Sequence, residues 1–325
     1  MMAPQPINPE VTRDIVYNDF FDALENAQTQ RFYPRLSVEK TQGEITTVYP
    51  SFGSVPEPTQ VGGILGGGPD PATILKDWKV TATVFPWRQT VLFDRLVAET
   101  KGAEISEKSR QMAFKAMKGM DKILCQALVN TTVTGYDAVS LFNTAHPESG
   151  ANQSNKISVD IATPTAPTAA EVETALNTAL PKLKGFTDDQ GTPVNEGITK
   201  VIALVPETFE FAFRTVVSPL MTQQAVDSSG VTGRFRGLVD VIISAYASST
   251  GATSGTKDRF WLFAEPSESV ARALALCRVM DWSFNSNIGD ESSDQWNKGE
   301  GYLYSYAAHA YIPWNWQAAI EIDFI

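Results

Sequence analysis

The sequence predicts an α+β fold spread over about two domains, on three observations. A helix-periodic run covers Ser106 to Val129. Short apolar runs at Ile198–Val205, Leu238–Ser244 and Arg259–Ala264 read as buried strands. From Tyr302 to the chain end, residues alternate with period two. A chain of 325 residues can bury roughly three quarters of its unfolded surface, so its core needs no covalent staples.

Taken in order, residues 1–36 form an arm with one short helix, Asp14 to Ala27, carrying Ile15, Phe20, Phe21 and Leu24. Residues 37–93 begin with a strand, Ser37 to Tyr49. A Gly-rich tip follows at Gly62–Gly68, then a second extended run, Thr73 to Phe85, in which Trp78, Val80, Ala82 and Val84 alternate with polar residues. The pair reads as a long hairpin. Such a hairpin has too little core to stand alone and needs a surface to lie on, in its own chain or another.

Residues 94–165 are built on the long helix. Ile105, Ser109, Met112, Ala116, Met120, Ile123 and Ala127 recur at steps of three and four, with Ser106 as the expected N-cap. Lys108, Arg110, Lys115, Lys118 and Lys122 fall on the opposite face, expected to be solvated. Ser149 to Thr168 is polar and reads as a loop. In residues 166–275, Thr168-Ala-Ala-Glu171 is a capping box opening a helix, and Glu207 to Val217 is a second helix between the buried strands. Residues 276–325 end in a strand running through Ile312, Trp314, Trp316, Ala318, Ile320, Ile322 and Phe324. It is expected to return onto the long helix.

Composition excludes several classes. Net charge is −11, unlike a nucleic-acid-coating protein, which needs clustered cations. Cys125 and Cys277 sit in apolar runs and read as buried free thiols. Met1 to Glu10 lacks the basic start and apolar core of a signal peptide, and no stretch approaches the roughly 18 apolar residues of a membrane span. The expected compartment is the cytosol.

Chemistry is sparse. The only histidines are His146, in a predicted loop, and His309, in a predicted strand. No His-Glu-x-x-His or Cys-x-x-Cys occurs, so no metal site is expected. The Gly62–Gly68 tip lacks the Gly-Lys-Ser/Thr ending of a phosphate loop. Asp188-Asp189 and Asp290-Glu291 lie in polar loops, not in the apolar surroundings that tune catalytic carboxylates. Trp282, Trp296, Trp314 and Trp316 read as a buried face or a subunit interface; an exposed row that stacks on sugar rings is the alternative. No catalytic residue and no cofactor is expected.

The order of arm, long hairpin, long helix, α+β unit and terminal strand resembles the HK97-like fold of tailed-phage major capsid proteins. Tyr136-Asp-Ala-Val-Ser-Leu-Phe-Asn-Thr-Ala-His-Pro147, followed by Gly150 and Asn152, is similar to the stretch after the long helix in Mu-like prophage major head subunits. Ala138 stands where that pattern usually has Gly. Val205-Pro-Glu-Thr-Phe and Gly237-Leu-Val-Asp-Val-Ile-Ile-Ser are similar to segments of that family's second domain.

The resemblance implies a shell subunit, not an enzyme. Residues 1–36 become an N-terminal arm and 37–93 an extended loop lying across a neighbour. Residues 94–165 become a peripheral domain on a spine helix at 106–129, 166–275 an axial domain, and 276–325 the return to the peripheral domain. Phe20, Phe21, Phe52, Ile64, Leu65, Trp78 and Trp87 are then the expected inter-subunit contacts. The implied assembly is a homo-oligomer of hexamers and pentamers, closed around double-stranded DNA in the host cytoplasm. Because the first predicted helix lies so near Met1, a separate scaffolding protein is expected rather than a fused one, with portal and decoration proteins as further partners. An encapsulin-type shell or a tail component is the alternative reading. A carbohydrate-binding or hydrolytic protein is a more distant one.

Overall fold

The computed structural model describes residues 9–52, 77–148, 151–217, 235, 237–249, 258–265, 272–290 and 292–325. In chain order these form α1 (Pro9–Gln28), α2 (Tyr33–Leu36), β1 (Ser37–Thr41), β2 (Thr46–Phe52), β3 (Asp77–Thr83), β4 (Phe85–Asp94), α3 (Arg95–Thr100) and α4 (Gly102–Val129). Next come β5 (His146–Glu148), β6 (Ala151–Gln153), β7 (Lys156–Val159), α5 (Ala169–Lys184), β8 (Val201–Val205), α6 (Glu210–Val217), β9 (Val239–Ile243) and α7 (Ala245–Ser249). The chain finishes with β10 (Arg259–Ala264), β11 (Leu274–Ser286), α8 (Asp294–Asn297), β12 (Glu300–Pro313) and β13 (Ala319–Phe324).

Two sheets organise the molecule. A four-stranded sheet runs β1-β11-β12-β4 and a five-stranded sheet runs β7-β13-β10-β8-β9. In the second, β8 and β10 are buried almost throughout. Both faces of these central strands are covered, which is why they read as continuous apolar runs. Trp261, Phe260, Phe263 and Phe324 are closed off from solvent here, each burial being worth roughly 1.5–3 kcal/mol. Helix α5 opens with the expected capping box between Thr168 and Glu171.

Helix α4 is 28 residues long, about 42 Å. Its buried stripe of Ile105, Ser109, Met112, Ala116, Met120 and Leu124 matches the sequence periodicity. It starts before the expected N-cap, however. Ser106 lies inside the helix, and its hydroxyl donates to the carboxylate of Asp19. Asp19 also takes two hydrogen bonds from Arg110, so α1 is strapped along α4. Helix α1 itself extends N-terminal to the expected Asp14 start.

Other expectations require correction. The single strand expected at Ser37–Tyr49 is two strands in different sheets: β1 pairs with β11, and β2 pairs with β3. The break falls at Gln42, buried, whose carboxamide donates to Ile45 O and accepts from the Tyr49 hydroxyl. The strand expected at Thr73–Phe85 is described from Asp77 and stops at Thr83; β4 then starts a new pairing with β12. Pro86 is tolerated there because β4 is an edge strand. Leu238–Ser244, expected buried, is the edge strand β9, with only Val239 buried. His146 is in the short strand β5, not in a loop.

The largest departure is at the C-terminus. The expected single strand is broken by a 3₁₀ turn at Trp316–Ala318, in which the Gln317 N–H donates to the Asn315 side chain. Before the turn, β12 returns beneath α4 as expected. After it, β13 crosses into the other sheet, between β10 and β7. Period two continued through the turn because Trp316 and Ala318 are buried there as well.

Candidate assembly surfaces and the clasp between the sheets

The four-stranded sheet has two unlike faces. On β12, Leu303, Ser305, Ala307 and His309 point inward and are buried. Burial pushes the His309 imidazole down to about 4, so it is a neutral core ring. It lies near Trp87 and Trp282, with centroids at 5.7 and 6.0 Å, and its carbonyl accepts a 3.0 Å bond from Trp87 Nε1.

The alternate residues Tyr302, Tyr304 and Tyr306 point outward, with the rings of Tyr304 and Tyr306 nearly parallel at 6.5 Å. Opposite them on β4 lie Leu92, Thr90 and Arg88; Leu92 is 75% exposed. Toward its other end, the same face is covered by the base of the β2–β3 hairpin. Val80, Ala82 and Val84 pack there on Ala275, Cys277 and Ile312. Tyr49 meets Trp314 at 5.7 Å, and Trp78 meets Tyr136 at 4.8 Å. The hairpin's base therefore lies on its own chain, and the half-buried tyrosine row is the part of the face that the described part of the hairpin does not cover.

The residues expected to meet a neighbour are distributed unevenly. Phe20 is fully buried within its own chain, stacked on Phe284 at 4.5 Å. Phe21 is half-buried against Tyr17. Trp78 and Trp87 are half-buried in the contacts above. Phe52 is the last residue of β2. Ile64, Leu65 and the Gly62–Gly68 tip lie outside the described residues. The open tyrosine row was not singled out from sequence as an interface; the Tyr-x-Tyr-x-Tyr alternation was its available signal.

The 136–147 motif forms a buried clasp. His146 is fully buried. Its Nδ1 is 2.5 Å from Asp137 Oδ2, and its Nε2 is 3.1 Å from Asn155 Oδ1. Asn155 is oriented unambiguously: its Nδ2 donates to Leu141 O, Trp316 O and Ala319 O, and its Oδ1 also accepts from the Asn143 N–H. Both imidazole nitrogens thus lie within hydrogen-bond reach of a side-chain oxygen. Trp316 stacks on the ring at 4.1 Å, only 6° from parallel. Nearby, Tyr136 donates a 2.7 Å bond to Glu148, and its phenol is pushed strongly upward by burial and by that carboxylate. Because Trp316 and Ala319 flank the crossover from β12 to β13, the clasp ties the two sheets together. Ala138, at the position read as a usual Gly, has φ +62°, the left-handed region that favours Gly.

The two cysteines are also packed into the core. Cys125 and Cys277 are buried free thiols, with Cys277 pushed up to about 11 by burial. Among the described residues, no three His, Cys, Asp or Glu side chains gather as a metal-binding group. Among them, too, no helix is long and apolar enough to cross a membrane.

A long helix over a mixed four-stranded sheet, a hairpin leaving that sheet and a second α/β layer define the HK97-like class of shell subunit. Solved structures share this arrangement. The capsid of cyanophage P-SCSP1u aligns with TM-score 0.56 and 11% identity, over 90% of this chain and 88% of that one. The mature capsid of bacteriophage PhiM1 aligns with TM-score 0.57 and 13% identity, over 90% and 86%. A virus-like particle from Pyrococcus furiosus aligns with TM-score 0.52 and 9% identity, over 96% and 99%. No curated protein sequence matches significantly. The phage capsid protein family model matches residues 79–322, and the chain belongs to that family. It is a major capsid protein, a structural component of the virion shell.

Proposed function

We propose that this chain closes, as hexamers and pentamers, into an icosahedral shell around double-stranded DNA, assembled in the host cytoplasm. The observation that carries the reading, beside family membership, is the half-open sheet face. The tyrosine row on β12 and Leu92 on the neighbouring edge strand β4 form one patch, rich in the aromatic residues that interfaces favour and beside a sheet edge. The segments 1–36 and 37–93 act as the arm and the extended loop that reach neighbours, with 94–165 as peripheral and 166–275 as axial domain. The β12–β13 crossover divides the terminal segment 276–325 between the two sheets. A separate scaffolding protein, a portal and decoration proteins complete the particle. The 136–147 motif supports kinship with Mu-like head subunits.

Electron microscopy of the purified chain tests this. Closed particles tens of nanometres across are expected, of mixed size without the scaffolding protein; uniform shells from the chain alone would remove that protein from the reading, and monomers stable at high concentration overturn the shell itself. The alternative reading is a shell of encapsulin type. Particles that enclose nuclease-protected genomic DNA in infected cells support the virion reading, and particles filled with protein cargo support the other.

A further inference from the structure

A groove runs between α4 and β4, lined by Trp87, Gln89, Lys115, Gly119, Lys122 and Trp282. It continues past Lys108 and Gln111. Lys108, Lys115 and Lys122 recur at intervals of seven residues, so they form one line along the helix, about 10.5 Å apart. All three are exposed. Among the described residues, none of the three has an ion-pair partner, although α4 pairs elsewhere through Glu104 and Arg110. A single-sign line of cations is unusual on a chain whose net charge is −11.

Gly119 lies on the same line, midway between Lys115 and Lys122. A Cβ built on it meets nothing within 4 Å, so nothing in this chain requires glycine in the helix interior, where glycine is unfavourable. A bare helix surface at that point does suit close approach by another backbone. The floor of the groove is aromatic, and it is flanked by a helix on one side and a sheet on the other. That shape fits an amphipathic helix, not a DNA duplex, which rides on surfaces and is far wider.

The chain carries a helix of complementary charge. The buried side of α1 (Val16, Phe20, Ala23 and Ala27) packs inward. Its outer side presents Asp14, Asn18, Asp22 and Glu25, all exposed, flanked by Ile15 and Tyr17 at 50% and 48% exposure. The α1 helix of the same chain cannot fill the groove. It is strapped to the other flank of α4 through Arg110, about 160° around the helix from Lys108.

We propose that the α4–β4 groove seats the acidic outer face of α1 from a second copy. Each α4 then lies between its own α1 and a neighbour's, with Gly119 as the point of closest approach. The contact is head-to-tail, using different patches on the two copies, and such contacts close into rings. This deepens the shell reading and rests on it.

Charge reversal tests the proposal, with sedimentation and microscopy as readouts in conditions where the unaltered chain forms particles. If the unaltered chain never assembles, it is the shell reading that fails. Lys115→Glu/Lys122→Glu and, separately, Asp14→Lys/Glu25→Lys are each expected to lower the assembled fraction at least tenfold. Thermal unfolding of the subunit should stay unchanged, since all four side chains are exposed. The four substitutions together are expected to restore particles. Gly119→Trp is expected to block assembly, with circular dichroism and thermal unfolding showing that the subunit stays folded. Normal assembly of the Lys115→Glu/Lys122→Glu variant overturns the proposal. So does failure of the combined set to restore particles, which would assign the groove to a different acidic protein. Particles that form normally but hold less DNA would assign it to the genome.

Discussion

Replacing His146 with phenylalanine isolates what the clasp contributes. Phenylalanine keeps a flat ring against Trp316, which stacks at 4.1 Å, but removes both hydrogen bonds of the ring. The Asp137 side chain is 2% exposed and pairs with the ring at 2.5 Å. Without the imidazole it keeps only the Val139 N–H, at 3.1 Å. Breaking a buried pair from one side costs about 3–5 kcal/mol, because a charge is left uncompensated. In the Asp137→Asn/His146→Phe double variant that charge is gone. The remaining loss is of hydrogen bonds, about 1–2 kcal/mol. The single variant should therefore be about 4 kcal/mol less stable and the double variant about 2 kcal/mol, a coupling that neighbouring residues commonly show. Urea unfolding of the dilute subunit measures both, provided the slope with denaturant stays constant. A cost below about 1 kcal/mol for His146→Phe, or a double variant no more stable than the single, would refute the assignment of a buried, coupled clasp.

Three further outcomes follow from individual residues. Asp121, buried on α4 and accepting from the Tyr33 N–H with Arg31 at 3.6 Å, is raised to about 6, chiefly by burial. A carboxyl raised in the fold stabilises it at low pH, and that stability is lost as pH climbs from about 4 through about 6. Asp121→Asn should remove this decline and make the subunit more stable at neutral pH by up to about 3 kcal/mol; a pH series of unfolding midpoints checks it. Ala138→Gly should stabilise by about 0.5–1 kcal/mol, since the φ of +62° is strained for any Cβ-bearing residue; no gain in thermal midpoint would contradict that. Gly119→Ala should raise subunit stability by about 1 kcal/mol, because its Cβ meets nothing.

Much of the fold was legible because it is governed by local pattern. The stripe on α4, the Thr168–Glu171 box and the apolar cores of β8 and β10 are set by near neighbours in sequence. The failures were at changes of partner. Ser37–Tyr49 reads as one strand because Gln42 is polar but buried, and its side chain bends the chain through contacts within the turn. Trp316 continues the period-two pattern while sitting in a 3₁₀ turn, because its ring is held by a histidine distant in sequence. The clasp was visible only as a motif. Its key acceptor, Asn155, lies in a polar stretch that reads as a loop, and only three converging carbonyls reveal why it is asparagine. Of the expected interface residues, Phe20 reads like any exposed-arm aromatic until α1 is laid on α4.

A cryo-electron microscopy reconstruction of particles assembled from the purified chain decides whether the tyrosine face is a subunit interface. Closed icosahedral shells are expected, in which a neighbouring subunit covers Tyr302, Tyr304, Tyr306 and Leu92. Particles with that face open to solvent, or a chain that stays monomeric under every assembly condition, would contradict that expectation.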